Sequence, residues 1–395
     1  MKRAIRKPHR FDRVYFFGAG ASVPLGYPTG AQLPARIVQY LKSEKRNAYV
    51  SASKEALHLL SRMLSTYMGA RVDLARLNTR EVKSFFEEHK KRIDVATFYS
   101  VADTLSELPG EPELKTVFEH LAATTRNLML KLVLRRDCVY ERVPELKGLL
   151  LNIAKNRKRD AIVCFNWDEE IDFEFCDQQK IEVCYTREQW AYNERRRDPS
   201  ILLLKPHGSI GWYDVINGLA NEEPYFISEE DARVNGRRRI MSFLEFEMPR
   251  RLNDDLAKDA VLIPPIITSP TFVKRFEFEE QRLIWADIEE VCRDASEFVF
   301  VGYAMAPDDF LTLGALAKSL EQRRQKPRWL SIGRADNTFE ENFGRCFGSV
   351  DRRRNLIDVT FEAIRPRTKD WTRRHATASS FVKQVDRKLQ SQRDR

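Results

Sequence analysis

The sequence predicts an α/β protein: a parallel sheet with helices on both faces, carrying a helical insert. Three observations predict it. Short apolar runs recur at 13–18, 160–165, 201–204, 261–263, 297–303 and 328–332, the texture of strands buried on both faces. Helical spacing lies between such runs, and strand–helix–strand order with fully apolar strands means parallel pairing. Polar or glycine-rich residues follow four of the runs directly, which puts four chemistry-bearing loops on one edge of the sheet, where open sheets bind ligands.

The elements follow in chain order. Arg13-Val-Tyr-Phe-Phe-Gly18 is a buried strand ending in glycine, and 30–44 reads as a helix. From about 45 to 150 strand signals are sparse and apolar residues keep helical spacing, as in Ala56, Leu59, Leu60, Met63 and Leu64, or Leu128, Leu130, Leu132 and Leu134. Strands return at 160–165 and 201–204, and the polar stretch 216–260 reads as a surface insertion. After the strand at 261–263, Phe276 to Ala295 forms an amphipathic helix with Leu283, Ile284, Ile288 and Val291 on one side. Strands at 297–303 and 328–332 complete the series. Residues 351–395 are a basic extension with a strand-like stretch from Ile357 to Phe361 and a helix near 377–390. The stripe Ala378, Phe381, Val382, Val385 and Leu389 on that helix must pack, on its own sheet domain or on a neighbour. The expected division is therefore 1–45 with 151–350 as the sheet domain, 46–150 as the helical insert and 351–395 as the extension.

Composition narrows the class. In 395 residues, 43% are apolar and 32% charged, a globular balance. No apolar stretch approaches the ~18 residues of a membrane-spanning helix. Cysteines 138, 164, 176, 184, 292 and 346 form no C-x-x-C pair, which disfavours a zinc ribbon, a thioredoxin motif or a disulfide scaffold and points to a reduced, cytoplasmic setting. The basic start, the apolar run and Ala19-Gly20-Ala21 mimic a secretory signal. Asp12 and Arg13 abut that run, however, and two glycines break it, so a buried strand entering a turn explains it better. The net charge of +9 sits at the ends: +5 in residues 1–13 and +7 in 351–395, leaving the body at −3. Basic ends attract nucleic acid, acidic partners or a symmetry mate, or serve only as solvated tails.

Four strand-end loops carry the candidate chemistry. Gly18-Ala19-Gly20-Ala21-Ser22 is either a phosphate cradle or an ordinary strand-to-helix turn; the third glycine of the dinucleotide fingerprint is missing. Cys164-Phe-Asn-Trp-Asp168 offers Asn166 to orient a water or sugar hydroxyl and Asp168 to hold a ribose or the loop; both also suit a helix N-cap. Lys205-Pro-His207-Gly208-Ser209 offers His207 as a general base or as a structural histidine; of six histidines only this one has glycine beside it. In Val301-Gly302-Tyr303-Ala, the glycine permits close backbone approach, and Asp308 or Asp309 is placed to cap the next helix.

Taken in order, Gly18-Ala-Gly-Ala-Ser, Asn166-Trp-Asp, His207-Gly-Ser and Gly302-Tyr-Ala resemble the sirtuin-like superfamily over roughly 13–45, 160–215 and 260–347. The resemblance implies a Rossmann-type domain that binds NAD as its substrate and cleaves the nicotinamide–ribose bond. It implies Asn166 and His207 as the catalytic pair and the 18–22 loop on the diphosphate, with Asp168, Gly208, Gly302 and Tyr303 completing the NAD site. Two departures separate this chain from protein deacylases: the paired C-x-x-C zinc module is missing, and Gly26-Tyr-Pro-Thr-Gly30 stands where those enzymes carry Pro-Asp-Phe-Arg. The pattern is similar to a zinc-less bacterial anti-phage branch that destroys NAD; Arg92-Ile-Asp94 resembles an acidic loop motif of that branch. No metal is expected. The expected activity is an NAD hydrolase giving nicotinamide and ADP-ribose, linear or cyclic. The alternatives are an NAD or ADP-ribose sensor without turnover, and a deacylase or ADP-ribosyltransferase. The sequence holds no P-loop and no second effector domain, so a homo-oligomer or a separate regulator of the HerA-type ATPase or short Argonaute kind is expected, with nucleic acid reached through that partner and no membrane.

Overall fold

The computed structural model of the chain describes residues 11–43, 50–69, 71–90, 92, 93, 95–106, 140–214, 240–242, 265–267, 279–305, 310–321, 323, 326–334, 339–359, 361, 362 and 369–392. Seven strands form one parallel sheet: β1 (Arg13–Phe17), β2 (Asp160–Cys164), β3 (Glu182–Cys184), β4 (Ser200–Leu204), β8 (Glu297–Val301), β9 (Arg328–Gly333) and β10 (Leu356–Asp358). Their order is β10-β9-β8-β1-β2-β4-β3. The chain builds outward from β1 through β2 to the β4–β3 edge, then returns to β1's other side with β8, so a topological switch point falls between β1 and β8. The register is level there: Phe17 pairs with both Cys164 and Val301. The expected strands at 160–165, 201–204, 297–303 and 328–332 are thus present within a residue or two. Val261-Leu-Ile263 lies outside the described residues.

The sheet is buried on both faces because its strands are apolar at consecutive positions, and period two divides them. Tyr15, Phe17, Ile162, Cys164, Leu203, Val299 and Leu330 face one core, shared with helices Leu33–Ser43, Val50–Met68 and Pro144–Lys155. Val14, Phe16, Val163, Leu204, Phe298 and Phe300 face the other, covered by helices Arg187–Arg196, Glu279–Asp294, Phe310–Glu321 and Phe339–Phe347. The 279–294 helix inserts Ile284, Ile288 and Val291, but Leu283 is 49% exposed. One residue is a 100° turn of a helix, so a seam centred on 284, 288 and 291 leaves 283 at its outer margin.

Three further findings bear on the sequence expectation. The helix Pro144–Lys155 runs through the expected boundary at 150/151, and the helices Thr79–His89 and Val95–Ser106 share the core of the Tyr15 face. The 128–134 repeat lies outside the described residues. The stretch after β4, expected as a loop and surface insertion, opens a second sheet in which β5 (Gly208–Asp214) pairs antiparallel with β6 (Ile240–Ser242) and β7 (Pro265–Ile267). Residues 351–395 supply β10 and the helix Lys369–Gln390. Of the two packings open to the apolar stripe, the chain uses its own: Val385 and Leu389 are buried in the Tyr15-face core, and Ala378 and Val382 sit against Gly148.

Charged residues fasten the amino edge of the sheet. The Arg13 guanidinium bonds Glu297 on β8 (2.7 Å), Asp386 on the C-terminal helix (3.0 Å) and the Tyr15 hydroxyl (2.9 Å); Glu297 also pairs with Arg328 of β9. A cavity of about 370 Å³ opens here among Asp12, Arg13, Arg159, Asp160, Glu297 and Asp386, on the opposite edge from the four motif loops. No helix among the described residues is long and apolar enough to cross a membrane.

Candidate functional site

Because β1, β2, β4 and β8 are parallel, residues 18, 165, 205 and 302 all leave the sheet on its carboxyl edge. The glycines there serve chain crossing first. Gly18 N–H donates to Val301 O (3.0 Å) and Gly20 N–H to Gly302 O (2.9 Å). Gly302 has φ +58, and a Cβ on it would lie 2.3 Å from Ala21 N; one on Gly18 would meet Tyr303 Cα at 2.7 Å. The 18–22 loop and the 302 loop are therefore locked together at the switch point. Ala19 to Ser22 form one short helical turn, with Ala21 and Ser22 buried.

Onto this lock closes a buried hydrogen-bond chain. Asn166 Nδ2 donates to Gly18 O (2.9 Å) and to Ser22 Oγ (2.8 Å), and Ser22 Oγ donates to Asp168 Oδ2 (2.7 Å). Asp168 Oδ1 accepts from Glu170 N (3.3 Å), the cap-like contact that its sequence position also suggested. Glu170 reaches Tyr27 OH (3.1 Å), which ties the Gly26–Gly30 stretch to the same loop. Burial pushes the Asp168 carboxyl up, against the pull of Lys205 and of its hydrogen bonds from Ser22 and the Glu170 amide. Burial likewise raises the Tyr140 phenol well above its ordinary range, with Asp168 adding to it, and lifts the Cys164 thiol to about 12. Cys164 is thus held as a thiol and is no nucleophile at neutral pH.

His207 sits in a tight turn. Gly208 N–H returns to Lys205 O (3.1 Å), with Pro206 at the second position and Gly208 at φ +76. The imidazole packs at 5.5 Å from the Phe165 ring and 6.3 Å from Trp285. Phe165 in turn stacks on Tyr303 (4.6 Å, 15° between planes), and Tyr303 on Phe300 (6.2 Å). Phe165 joins the two sides: His207 and Tyr303 both contact its ring, while Asn166 beside it enters the Ser22–Asp168 chain. All the candidate residues, Gly18 to Ser22, Asn166, Asp168, His207, Gly208, Gly302 and Tyr303, lie on this one edge.

Sequence reasoning missed Lys205 as a functional candidate. It is fully buried, and its ammonium contacts Asp168 O (2.6 Å), Asp172 Oδ2 (3.0 Å) and Ser209 Oγ (2.8 Å). The available signal was a lysine closing an all-apolar strand. Asp308 and Asp309 lie outside the described residues, as does Asp94. Beside Asp94, Val95 N–H donates to Gly30 O (3.2 Å), so the insert meets the segment after the glycine loop. Among the described residues no group of three or more His, Cys, Asp or Glu side chains is placed to hold a metal ion, and the five described cysteines are unpaired by disulfides.

No protein-family model matches the chain, and no curated protein matches it. Among solved structures it is similar to a Sir2–p53 peptide–NAD+ complex at 12% identity, covering 84% of each chain with a TM-score of 0.33. A structure on the basis of sirtuin substrate affinity matches at 11% identity over 84% of each chain, TM-score 0.32. A mutant Sir2 homologue bound to ADP ribose matches at 9%, covering 95% of this chain and 93% of the other, TM-score 0.35.

Proposed function

We propose that the chain is an NAD hydrolase. The observation that carries this reading is the convergence of the four motif loops at one switch point, closed by the Asn166–Ser22–Asp168 hydrogen-bond chain. The 18–22 turn would lie against the diphosphate. The Asn166 amide nitrogen is already engaged with Gly18 and Ser22. We therefore assign its carbonyl oxygen to the water or ribose hydroxyl that attacks as nicotinamide leaves. His207 takes the proton, and Asp168 holds the loop. Positive charge develops on the ribose, and a preorganised polar edge stabilises it. The products are nicotinamide and ADP-ribose or its cyclic form.

The same reading makes the protein a cytoplasmic anti-phage effector that depletes NAD when triggered, as a homo-oligomer or with a separate regulatory protein. Purified protein incubated with NAD, alone and with the product of its neighbouring gene, tests the activity by nicotinamide release. Asn166→Ala and His207→Ala are each expected to lower the rate about 10²–10⁴-fold in a chain that still folds cooperatively, with a lowered melting temperature for Asn166→Ala, which loses two buried hydrogen bonds. Full rate in His207→Ala rejects its assignment as the base; release of nicotinamide only when an acceptor protein is present replaces hydrolysis with transfer.

A further inference from the structure

We infer that Lys205, through its pair with Asp172, is a positioning residue that sets the His207 turn against the Asn166–Asp168 loop; the inference rests on the NAD-cleavage reading above. An ammonium is costly to bury unless its donors are matched. Here Lys205 and Asp172 are 0% and 1% exposed, and each of the three ammonium hydrogens has an acceptor: Asp168 O, Asp172 Oδ2 and Ser209 Oγ. Asp172 gives its other oxygen to the Tyr185 hydroxyl (2.6 Å). Ser209 Oγ passes the link on to Trp167 O (3.2 Å), where Ile210 N–H also bonds (2.9 Å). Burial pulls the lysine down, but Asp172 first, and Glu169 and Asp168 after it, hold it above its ordinary range, so it stays charged.

One cation thus joins three pieces of chain: the end of β4, the loop from Trp167 to Asp172, and the start of β5. Within 205–209 only His207 is more than marginally exposed. The turn is pinned on both sides of the imidazole, by Lys205 before it and Ser209 after it, and both pins reach the Trp167–Asp168 backbone next to Asn166. Stability alone does not call for this arrangement, since apolar side chains of similar volume replace buried ion pairs without loss in other proteins. The charge balance also suits the proposed chemistry. A bare ammonium beneath the site would oppose a cation forming on the ribose; Asp172 cancels it.

The double variant Lys205→Met/Asp172→Asn removes both charges at near-constant volume. Its melting curve, the kcat and KM for NAD and the pH–rate profile are compared with those of wild type, each measured with any required partner. We expect a cooperative melt, kcat lowered about 10–100-fold as His207 loses its position, KM changed less than about threefold, and a displaced limb in the pH profile. Wild-type kcat in a folded double variant overturns the inference alone. If the double variant does not fold, Ser209→Ala decides: it keeps the ion pair and removes one acceptor, so a lowered kcat at an unchanged melt supports positioning and an unchanged kcat overturns it. Wild-type protein that neither cleaves NAD nor is stabilised by it against heat overturns the reading of function, and this inference with it.

Discussion

At the carboxyl edge of the sheet the chain is held by close backbone contact and by hydrogen bonds among Ser22, Asn166 and Asp168. At the amino edge the same strands are held by charge: Arg13 to Glu297 and Asp386, Arg328 to Glu297, Arg159 to Asp12. The two edges differ in water. Arg159 and Asp386 keep 73% and 46% of their side-chain surface in solvent, where ion pairs are screened and individually weak, around an Arg13–Glu297 pair that is 15% and 5% exposed. The ion pair that the described residues place at the carboxyl edge, Lys205–Asp172, is sealed. A fastening tolerates rearrangement, whereas an edge with no room for a methyl group at Gly302 fixes its groups in one arrangement. The carboxyl edge is therefore the rigid part of the sheet, and the amino edge the part built for closure.

That contrast breaks first if the closure is dispensable. Deleting residues 366–395 removes Val385 and Leu389 from the core and Asp386 from Arg13. At about 1.5–3 kcal/mol for each large buried side chain, with Phe381 and Val382 adding partial burial, the loss rivals the 5–15 kcal/mol that stabilises a whole domain. The truncated chain should lose its cooperative melt; a folded, soluble truncation would show that the helix is an appendage.

Gly302→Ala sharpens the other edge. Its Cβ has no room against Ala21 N and Gly20 C, and alanine is strained at φ +58. We expect at least about 3 kcal/mol of destabilisation in denaturant unfolding. Unchanged stability with weakened NAD affinity would mean that the glycine serves ligand approach rather than the loop crossing.

The smallest effect has the opposite sign. Asp160, 4% exposed at the amino edge, has its carboxyl pushed up to about 7 by burial, against the pull of Arg13. A folded value above the ordinary 3.8 means that ionisation opposes folding. Wild-type stability is then undiminished below about pH 4, falls as pH rises towards 7, and is flat above. Asp160→Asn should be more stable than wild type by about 2 kcal/mol at pH 8 and no more stable at pH 4. A gain that ignores pH would remove Asp160 from the charge balance of this edge.

How legible each edge was follows from the same contrast. Val14 to Phe17, Ile201 to Leu204 and Phe298 to Val301 announce themselves because strands buried on both faces need apolar residues at every position. The glycines and Asn166, Asp168 and His207 were legible because each follows such a run at once. Glu182–Cys184 was not, being three residues with one exposed. The second sheet was hidden because β5 begins at Gly208 and contains Gly211, which read as loop. The Lys205–Asp172 pair joins residues 33 apart, and the Arg13–Asp386 contact residues 373 apart, with nothing local to mark either. Leu283 misled because adjacent apolar residues on a helix do not share a face.

The Arg13–Asp386 contact also sets a clock on biosynthesis. A ribosome adding about 5–20 residues per second needs roughly 20–75 s to travel from the first of these residues to the second. Through that interval β1 has emerged without its last clasp, and until Glu297 is made it also lacks β8, the strand that completes the switch point. Nascent chains therefore carry the glycine loop without its counterpart at Gly302, and the carboxyl edge stays unassembled until that residue is made.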